Sequence, residues 1–403
     1  MPDASWVEVP DGSDFPISNL PYGVFSPPGG HARVGVAIGD HVVDVSVLAD
    51  AKLLGTVRFD EPRLNSFLAA GPSVWADTRA RLTELLSGTE HRAQVERTLH
   101  PLAQVEMHLP FEVADYVDFY SSLDHATNLG RLFRPDAEPL LPNWRHLPVG
   151  YHGRAGTVVV SGTAIRRPDG QRRAPNGDVV FGPSTKLDIE AEVGFVVGVP
   201  SRLGEPVPID AFAEHVFGVV LVNDWSARDI QSWEYQPLGP FLGKSFATSI
   251  SPWVVPLAAL EAARRDPPAQ NPEPLPHLRG GGAWALDITL EVELNGHVVS
   301  RPPFVSTYWT AAQQLAHLTS NGASLRTGDL YASGTVSGAG PGEQGSLIEL
   351  SWNGERPLSL SDGATRSFLE DGDTVHITAS APGRAGSRIG FGDVTGSVVS
   401  RPT

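Results

Sequence analysis

The sequence predicts a mainly β protein with few helices, and three observations predict it. Glycine and proline are frequent, 42 and 35 of 403 residues, which marks many turns. Short valine-rich runs recur between those turns. Helical spacing is confined to two stretches, roughly 74–99 and 306–321. The length exceeds what one compact core usually fills, so two domains are expected.

Taken in order, Val34-Gly-Val-Ala-Ile38, Gly39-Asp40 and His41-Val-Val-Asp-Val45 read as two strands joined by a two-residue turn, since Gly-Asp accepts the positive φ of a tight hairpin. That suggests a small β domain. From Val74-Trp75-Ala76 through Leu85-Leu86 to Val95-Glu96-Arg97, charged residues alternate with apolar ones at helical spacing, which fits a helical connector. The domain boundary is placed near residue 110, giving segments 1–110 and 111–403.

Strands are then expected over Thr157–Ser161, Leu187–Val199, Val216–Val222, Trp284–Leu294, Leu347–Trp352 and Val375–Thr378. Turn-rich stretches separate them, notably Arg167-Pro168-Asp169-Gly170 and Asp266–Gly282. Over Ser306–Asn321, Ala311, Leu315 and Leu318 share a helical face, with Ser306 or Thr307 to cap the start and Asn321-Gly322 to end it. No internal repeat is visible.

Composition excludes several function classes. A net charge of −16 and a pI near 5.2, with no basic stripe interleaved with aromatics, argue against nucleic acid and anionic membrane as partners. The absence of cysteine excludes disulfides and thiolate chemistry and leaves oxygen and imidazole as metal ligands, so any cation should be hard. Met1-Pro2-Asp3-Ala4-Ser5 opens without an apolar leader, and runs such as Val216–Val222 are far too short to span a bilayer, so a cytoplasmic location is expected.

The most informative local pattern is Leu187-Asp188-Ile189-Glu190-Ala191-Glu192-Val193-Gly194-Phe195. Read as a strand, it brings Asp188, Glu190 and Glu192 onto one face, where like charges two residues apart repel. From spacing alone the commoner meaning of such a face is the solvated side of a half-buried sheet. The run leads directly into Phe195-Val196-Val197, apolar on both faces, which argues that it enters the interior. Carboxylates going inward need a cation, and Mg²⁺ or Ca²⁺ suits an all-oxygen set.

Two further segments gather polar chemistry. Asp115-Tyr116-Val117-Asp118-Phe119-Tyr120-Ser121-Ser122-Leu123-Asp124-His125 packs acids, phenols, hydroxyls and an imidazole into a short stretch. Val219-Val-Leu-Val-Asn223-Asp224 ends an apolar strand on an acid, although an Asn-Asp there is more often a turn or cap, and a single histidine is more often structural. Gly239-Pro-Phe-Leu-Gly243-Lys244-Ser245 is one residue short of a phosphate-binding loop and follows no buried strand. Gly390-Phe-Gly392-Asp-Val-Thr-Gly396 has the wrong spacing for a dinucleotide fingerprint and no βαβ unit around it.

Three long segments resemble the fumarylacetoacetate hydrolase family: Asp118-Phe-Tyr120-Ser-Ser-Leu-Asp-His125-Ala-Thr-Asn, Asn143-Trp-Arg-His-Leu-Pro-Val-Gly-Tyr151-His-Gly-Arg and Asn223-Asp-Trp-Ser-Ala-Arg-Asp-Ile-Gln231. The likeness runs the whole length. It includes Ser13–Phe25, Pro237–Ser245, Ala332-Ser-Gly-Thr335 and Arg388–Gly392. Because the catalytic part is shared with acylpyruvate hydrolases and hydratase-decarboxylases, the N-terminal segment is what narrows the resemblance to the members that cleave fumarylacetoacetate.

The resemblance implies a small N-terminal SH3-like β-barrel, a C-terminal mixed β-roll that carries the catalysis, and a homodimer. It implies metal carboxylates at Asp118, Glu190, Glu192 and Asp224, leaving Asp188 out, with a second cation near Lys244 and Thr248. The water-activating imidazole falls on His125 and its orienting carboxylate on Glu349, with Arg228, Gln231 and Lys244 facing the developing oxyanion. Tyr120, Arg134, Tyr151, Gln231, Tyr235 and Thr335 fall on substrate contacts. One departure is Leu123-Asp124 where relatives carry Arg-Gln: a carboxylate facing the imidazole would favour its protonated form, and one facing solvent would do little.

The implied activity is that of a hydrolase acting on carbon–carbon bonds in ketonic substances. It would cleave 4-fumarylacetoacetate to fumarate and acetoacetate, the last step of tyrosine and phenylalanine catabolism, with a divalent cation as cofactor. The neighbouring alternative is an acylpyruvate hydrolase or oxaloacetate decarboxylase on the same cation site. From another class, a non-catalytic binding module of the same fold would bind its ligand without turnover.

Overall fold

A computed structural model describes residues 4–400, so Met1–Asp3, on which part of the leader argument rested, lie outside the described residues. The protein is mainly β and is built on two sheets. The larger has thirteen strands. Its main path runs Leu99–Pro101, His41–Asp44, Arg33–Ile38, Tyr22–Ser26, Trp253–Pro256, Val216–Asp224, Ala191–Val197, Leu330–Ala332, Tyr116–Phe119 and Gly150–His152. Pairing is mixed: Leu330–Ala332 runs parallel to Tyr116–Phe119, and Thr248–Ile250 parallel to Val158–Val160, while the other neighbours are mostly antiparallel. The second sheet has five strands, in the order His297–Ser300, Thr289–Leu294, Thr374–Pro382, Arg388–Val399 and Ile165–Arg166. A core of inward aliphatic and aromatic side chains such as Phe195, Leu221, Trp225, Ile377 and Phe391 fills the space around them.

The N-terminal hairpin forms where the sequence places it, with Ile38 opposite His41 and Gly39 at φ 53°. The expected SH3-like barrel is corrected: no closed barrel forms among the described residues. Tyr22–Ser26 pairs instead with Trp253–Pro256, which continues the N-terminal strands into the larger sheet. Glycine at 23 permits this, because a Cβ there would lie 2.7 Å from the Trp253 ring. The helical connector becomes a helix over Pro72–Ser87, ended at Gly88, followed by a single turn over Arg92–Val95. Later, Thr310 rather than Ser306 or Thr307 caps the helix Ala311–Thr319, through a capping box with Gln313.

Three strand expectations are also corrected, and the first two corrections shape the site. The acidic strand breaks at Ile189–Glu190 into Leu187–Asp188 and Ala191–Val197. Within the break, Ile189 N–H donates to Asp188 Oδ1 and Glu190 N–H to the Asn223 side chain, so side chains replace the ladder there. Leu347–Trp352 is no strand: Leu347–Leu350 forms a helical turn, and the chain then reverses through positive φ at Trp352 and Asn353. The Asp188 carboxylate accepts from Leu347 N–H and Ile348 N–H, which satisfies the free donors at the start of that turn. Trp284–Leu294 likewise divides into Ala285–Leu286 and Thr289–Leu294, whereas Val375–Thr378 extends to Thr374–Pro382.

Candidate active site

Three strands of the larger sheet and the break before one of them deliver four acids to one point. Asp118 comes from Tyr116–Phe119, Glu192 from Ala191–Val197, Asp224 from the end of Val216–Asp224, and Glu190 from the break just before Ala191. One ligand oxygen from each lies within 4.8 Å of all the others, and all four residues are buried. Asp188 is not in this group. The break turns it toward Arg228 and the Leu347 turn, so the alternation that placed three acids on one face holds for Glu190 and Glu192 only.

The cluster is partly neutralised by the protein. Lys244 Nζ forms a very short bond to Glu190 Oε2 and a 2.9 Å bond to Asp224 Oδ2. Arg228 Nη1 is 2.7 Å from Glu190 Oε1. Thr248 Oγ1 donates to Asp224 Oδ1 at 2.7 Å, and Tyr151 Oη lies 3.4 Å from Asp224 Oδ2. Burial alone would raise the Glu190 carboxyl, but Lys244, Arg228 and His125 hold it well below the usual range. Burial and then the neighbouring Asp118 push Glu192 well up, and burial and Asp224 do the same to Asp118. Both Glu192 oxygens and Asp118 Oδ1 are buried without a hydrogen-bond partner. Four converging carboxylates with such unused oxygens fit a hard divalent cation, which takes oxygen ligands. The side-chain donors of Lys244 and Thr248 are both turned on Asp224.

Beside the acids stands a buried His–Glu pair. Ser122 caps the helix Leu123–Phe133 by accepting from His125 N–H, which fixes the imidazole in the first turn. His125 Nδ1 is 2.7 Å from Glu349 Oε2, across 224 residues of sequence. Glu349 is itself held by Asn128, Ser337 and Ser346. Burial would raise its carboxyl, but His125, Ser346 and Asn128 bring it below the ordinary value. An ionised carboxylate only accepts, so Nδ1 carries a hydrogen, and in the neutral imidazole Nε2 is then the nitrogen with the lone pair. Nε2 lies 4.0 Å from Glu190 Oε1, at the edge of the acidic cluster.

A cavity of about 360 Å³ opens onto both groups. Tyr120, Arg134, Tyr151, Gln231, Tyr235 and Thr335, the expected substrate contacts, all line it, as do His125, Arg228 and Lys244. Tyr120 meets the imidazole edge to face, with centroids 5.3 Å apart. Arg134 spends Nη2 on Pro139 O and keeps Nε unpartnered. Thr335 Oγ1 and Arg228 Nη2 are buried, without partners, in the wall. Gly334 makes the Thr335 position reachable: its φ is 76°, and a Cβ there would run into the Phe119 carbonyl oxygen. Leu129, Leu140, Trp144 and Val149 supply apolar walls.

Asp124 lies in the first turn of the helix Leu123–Phe133, beside His125 in sequence. It is half-buried, and burial, then Glu349 and Glu343, raise its carboxyl. The look-alike Gly239–Ser245 loop gives its lysine to carboxylates rather than to phosphate, and Gly390–Gly396 lies within the strand Arg388–Val399. Sequence reasoning missed Asn128, Ser337 and Ser346, whose only signal was hydroxyl and amide content near the expected base and acid, and it gave Asp188 no role.

Known proteins similar to this chain belong to one family. Residues 18–110 match the fumarylacetoacetase N-terminal family, and residues 116–399 match the fumarylacetoacetate hydrolase C-terminal family. The chain is 50% identical to the fumarylacetoacetase of Rattus norvegicus, with 98% of each chain covered, and equally similar to that of Homo sapiens over the same shares. It is 46% identical to the Arabidopsis thaliana enzyme over 99% of each chain. Among solved structures, a fumarylacetoacetate hydrolase from Exiguobacterium antarcticum shares the fold, with a TM-score of 0.56 at 17% identity, covering 95% of this chain and all of that one. The chain belongs to the fumarylacetoacetate hydrolase family.

Proposed function

We propose that the protein hydrolyses the carbon–carbon bond of 4-fumarylacetoacetate to give fumarate and acetoacetate. The observation that carries this reading is the position of the His125–Glu349 pair: an oriented base whose free nitrogen stands 4.0 Å from the acidic cluster, in the wall of one cavity. The full-length similarity to fumarylacetoacetases supports the substrate. Division of the chain near residue 110 fits the reading, since every side chain used below lies beyond residue 115.

His125 Nε2 takes a proton from water as the water oxygen bonds to the carbonyl carbon on the fumaroyl side. Glu349, fixed by three further donors, steadies the imidazolium that results. Arg228 Nη2, which has no partner, the side-chain amide of Gln231 and the remaining hydrogen of Lys244 would meet the oxyanion, and such fixed donors often supply the largest catalytic contribution. When the oxyanion collapses, the bonding pair leaves with the acetoacetate carbon as an enolate, and His125 returns the proton. Asp118, Glu190, Glu192 and Asp224 would hold a divalent cation, Mg²⁺ or Ca²⁺, which when bound supplies Lewis-acid stabilisation of enolate oxygens. Arg134, with Tyr120 and Tyr235, anchors the terminal carboxylates. No helix among the described residues is long and apolar enough to cross a membrane.

A steady-state assay on fumarylacetoacetate, beside fumarylpyruvate and oxaloacetate, tests the reading. Fumarylacetoacetate should be turned over fastest. His125→Ala and Glu349→Gln should each lower kcat by about 100- to 10,000-fold, with substrate-analogue affinity changed only several-fold. Unchanged turnover in either variant would sink the assignment.

A further inference from the structure

Asp188 takes no part in the chemistry described so far, yet each of its oxygens accepts two hydrogen bonds. Oδ1 accepts from Ile189 N–H and Leu347 N–H, both at 2.7 Å. Oδ2 accepts from Arg228 Nε at 2.7 Å and Ile348 N–H at 3.0 Å. The residue is fully buried and outside the group of four converging acids. We propose that Asp188 is a positioning residue for the hydrolysis, a single carboxylate that sets both the free arm of Arg228 and the turn that carries Glu349.

The geometry on the Arg228 side is a clamp. The guanidinium is planar, and two of its three nitrogens are taken: Nε by Asp188, Nη1 by Glu190 at 2.7 Å and Gln231 at 3.2 Å. With those two fixed, the plane has one orientation, and Nη2 is left unpartnered in the cavity wall. Without Asp188 only the Nη1 contacts remain, and the guanidinium can rotate about them. The free arm then loses its aim at the position where the oxyanion forms.

On the other side, Asp188 holds the first two amides of the Leu347–Leu350 turn, and Glu349 follows one residue later. A closed circuit results: Asp188 to Arg228, Arg228 to Glu190, Glu190 beside His125, His125 to Glu349, and back through the turn to Asp188. Base and oxyanion donor are therefore referenced to the same carboxylate. The distance between them is set by one residue rather than by two independent elements.

This inference rests on the hydrolytic reading above. Asp188→Asn keeps the shape but replaces one acceptor oxygen by an NH₂ group, which must face donors on one side or the other. Its kcat for fumarylacetoacetate should fall about 10- to 100-fold, with KM within about threefold, because the loss is confined to the transition state. The rise in Tm on adding Mg²⁺ should match that of the unsubstituted protein, since Asp188 holds no cation. In an Arg228→Met background the same substitution should still lower kcat, through the Glu349 turn, but by less than it does alone, because the arm it aims is gone. If the asparagine variant does not fold, Asp188→Ser, which leaves room for a bridging water, carries the same expectations. A kcat within about twofold of the unsubstituted protein, or a full additive loss on top of Arg228→Met, overturns the proposal. Absence of turnover by the unsubstituted protein would bring down the hydrolytic reading and this inference with it, whereas normal turnover by the unsubstituted protein and by Asp188→Asn brings down this inference alone.

Discussion

Replacing Glu192 by glutamine removes one carboxyl group from a cluster in which both oxygens of that residue are buried without a hydrogen-bond partner. Without a cation, burial and the adjacent Asp118 push the carboxyl well up and favour its protonated form, which glutamine mimics. In chelator, therefore, Glu192→Gln should melt within about 1 °C of the unsubstituted protein or above it. With a cation the two should part. A ligand at about a thousand times its dissociation constant stabilises the state that binds it by about 4 kcal/mol. Spread over 403 residues, with an unfolding entropy of roughly 2 cal/mol/K per residue, that corresponds to about 5 °C in Tm. Losing one of four carboxylates and about 100-fold in affinity leaves about 1.4 kcal/mol, a rise of under about 2 °C. Thermal melts by circular dichroism in chelator and with Mg²⁺, Ca²⁺ or Mn²⁺ read both numbers. An equal cation-induced rise in the variant would refute Glu192 as a ligand. No rise in the unsubstituted protein would refute the cation site, and a large loss of Tm in chelator would mean that the protein itself holds Glu192 as an anion.

Arg134→Met removes a guanidinium whose Nε is unpartnered at the cavity wall, and a charge-assisted bond of about 1.5–3 kcal/mol predicts a KM raised about 10- to 100-fold. Initial-rate kinetics should show kcat nearly unchanged, and a pure kcat effect would place Arg134 in the chemistry instead. Asp373 is held by Arg366 Nε at 3.0 Å, Asn295 Nδ2 at 2.8 Å and Glu370 N–H at 2.7 Å. Burial would raise its carboxyl, but these donors bring it below its ordinary value. A lowered pKa gives stability that is complete above the unfolded value near 3.8 and is lost as pH falls from there through the lower folded value. Asp373→Asn should therefore cost about 1–3 kcal/mol at neutral pH and lose less stability than the unsubstituted protein between about pH 4 and pH 3. Urea melts at both ends of that window check it, and parallel acid curves would contradict it.

Much of the site was legible because strand alternation and a missing residue type are properties of the chain itself. Glu190 and Glu192 stand two residues apart and lead into an apolar run, and without cysteine only oxygen and imidazole ligands remain. Alternation failed at Asp188 for a local reason. Its carboxylate binds the amide of the next residue, Asn223 takes the amide after that, and the ladder on which a period of two depends is interrupted. Leu347–Leu350 failed for a related reason: three apolar residues in four fit a strand or a buried turn equally, and the deciding partner, Asp188, lies 159 residues away. The His125–Glu349 pair has no local trace at all, since 224 residues separate its members. Only resemblance to a family joined them.

The pairing of Tyr22–Ser26 with Trp253–Pro256 sets how the chain can be cut. Trp253–Pro256 offers one edge to Val216–Asp224 and the other to the N-terminal strand. Val24, Val36, Leu48 and Phe67 share one core cluster with Phe217, Val220, Val254 and Leu330. Deleting the first 110 residues would therefore strip main-chain donors and acceptors from a strand and bare an apolar face on the half of the molecule that carries the active site. Such an edge recruits other chains. The N-terminal strands thus cover an edge and an apolar face of the catalytic half, and a chain truncated at residue 110 should aggregate, which light scattering would read.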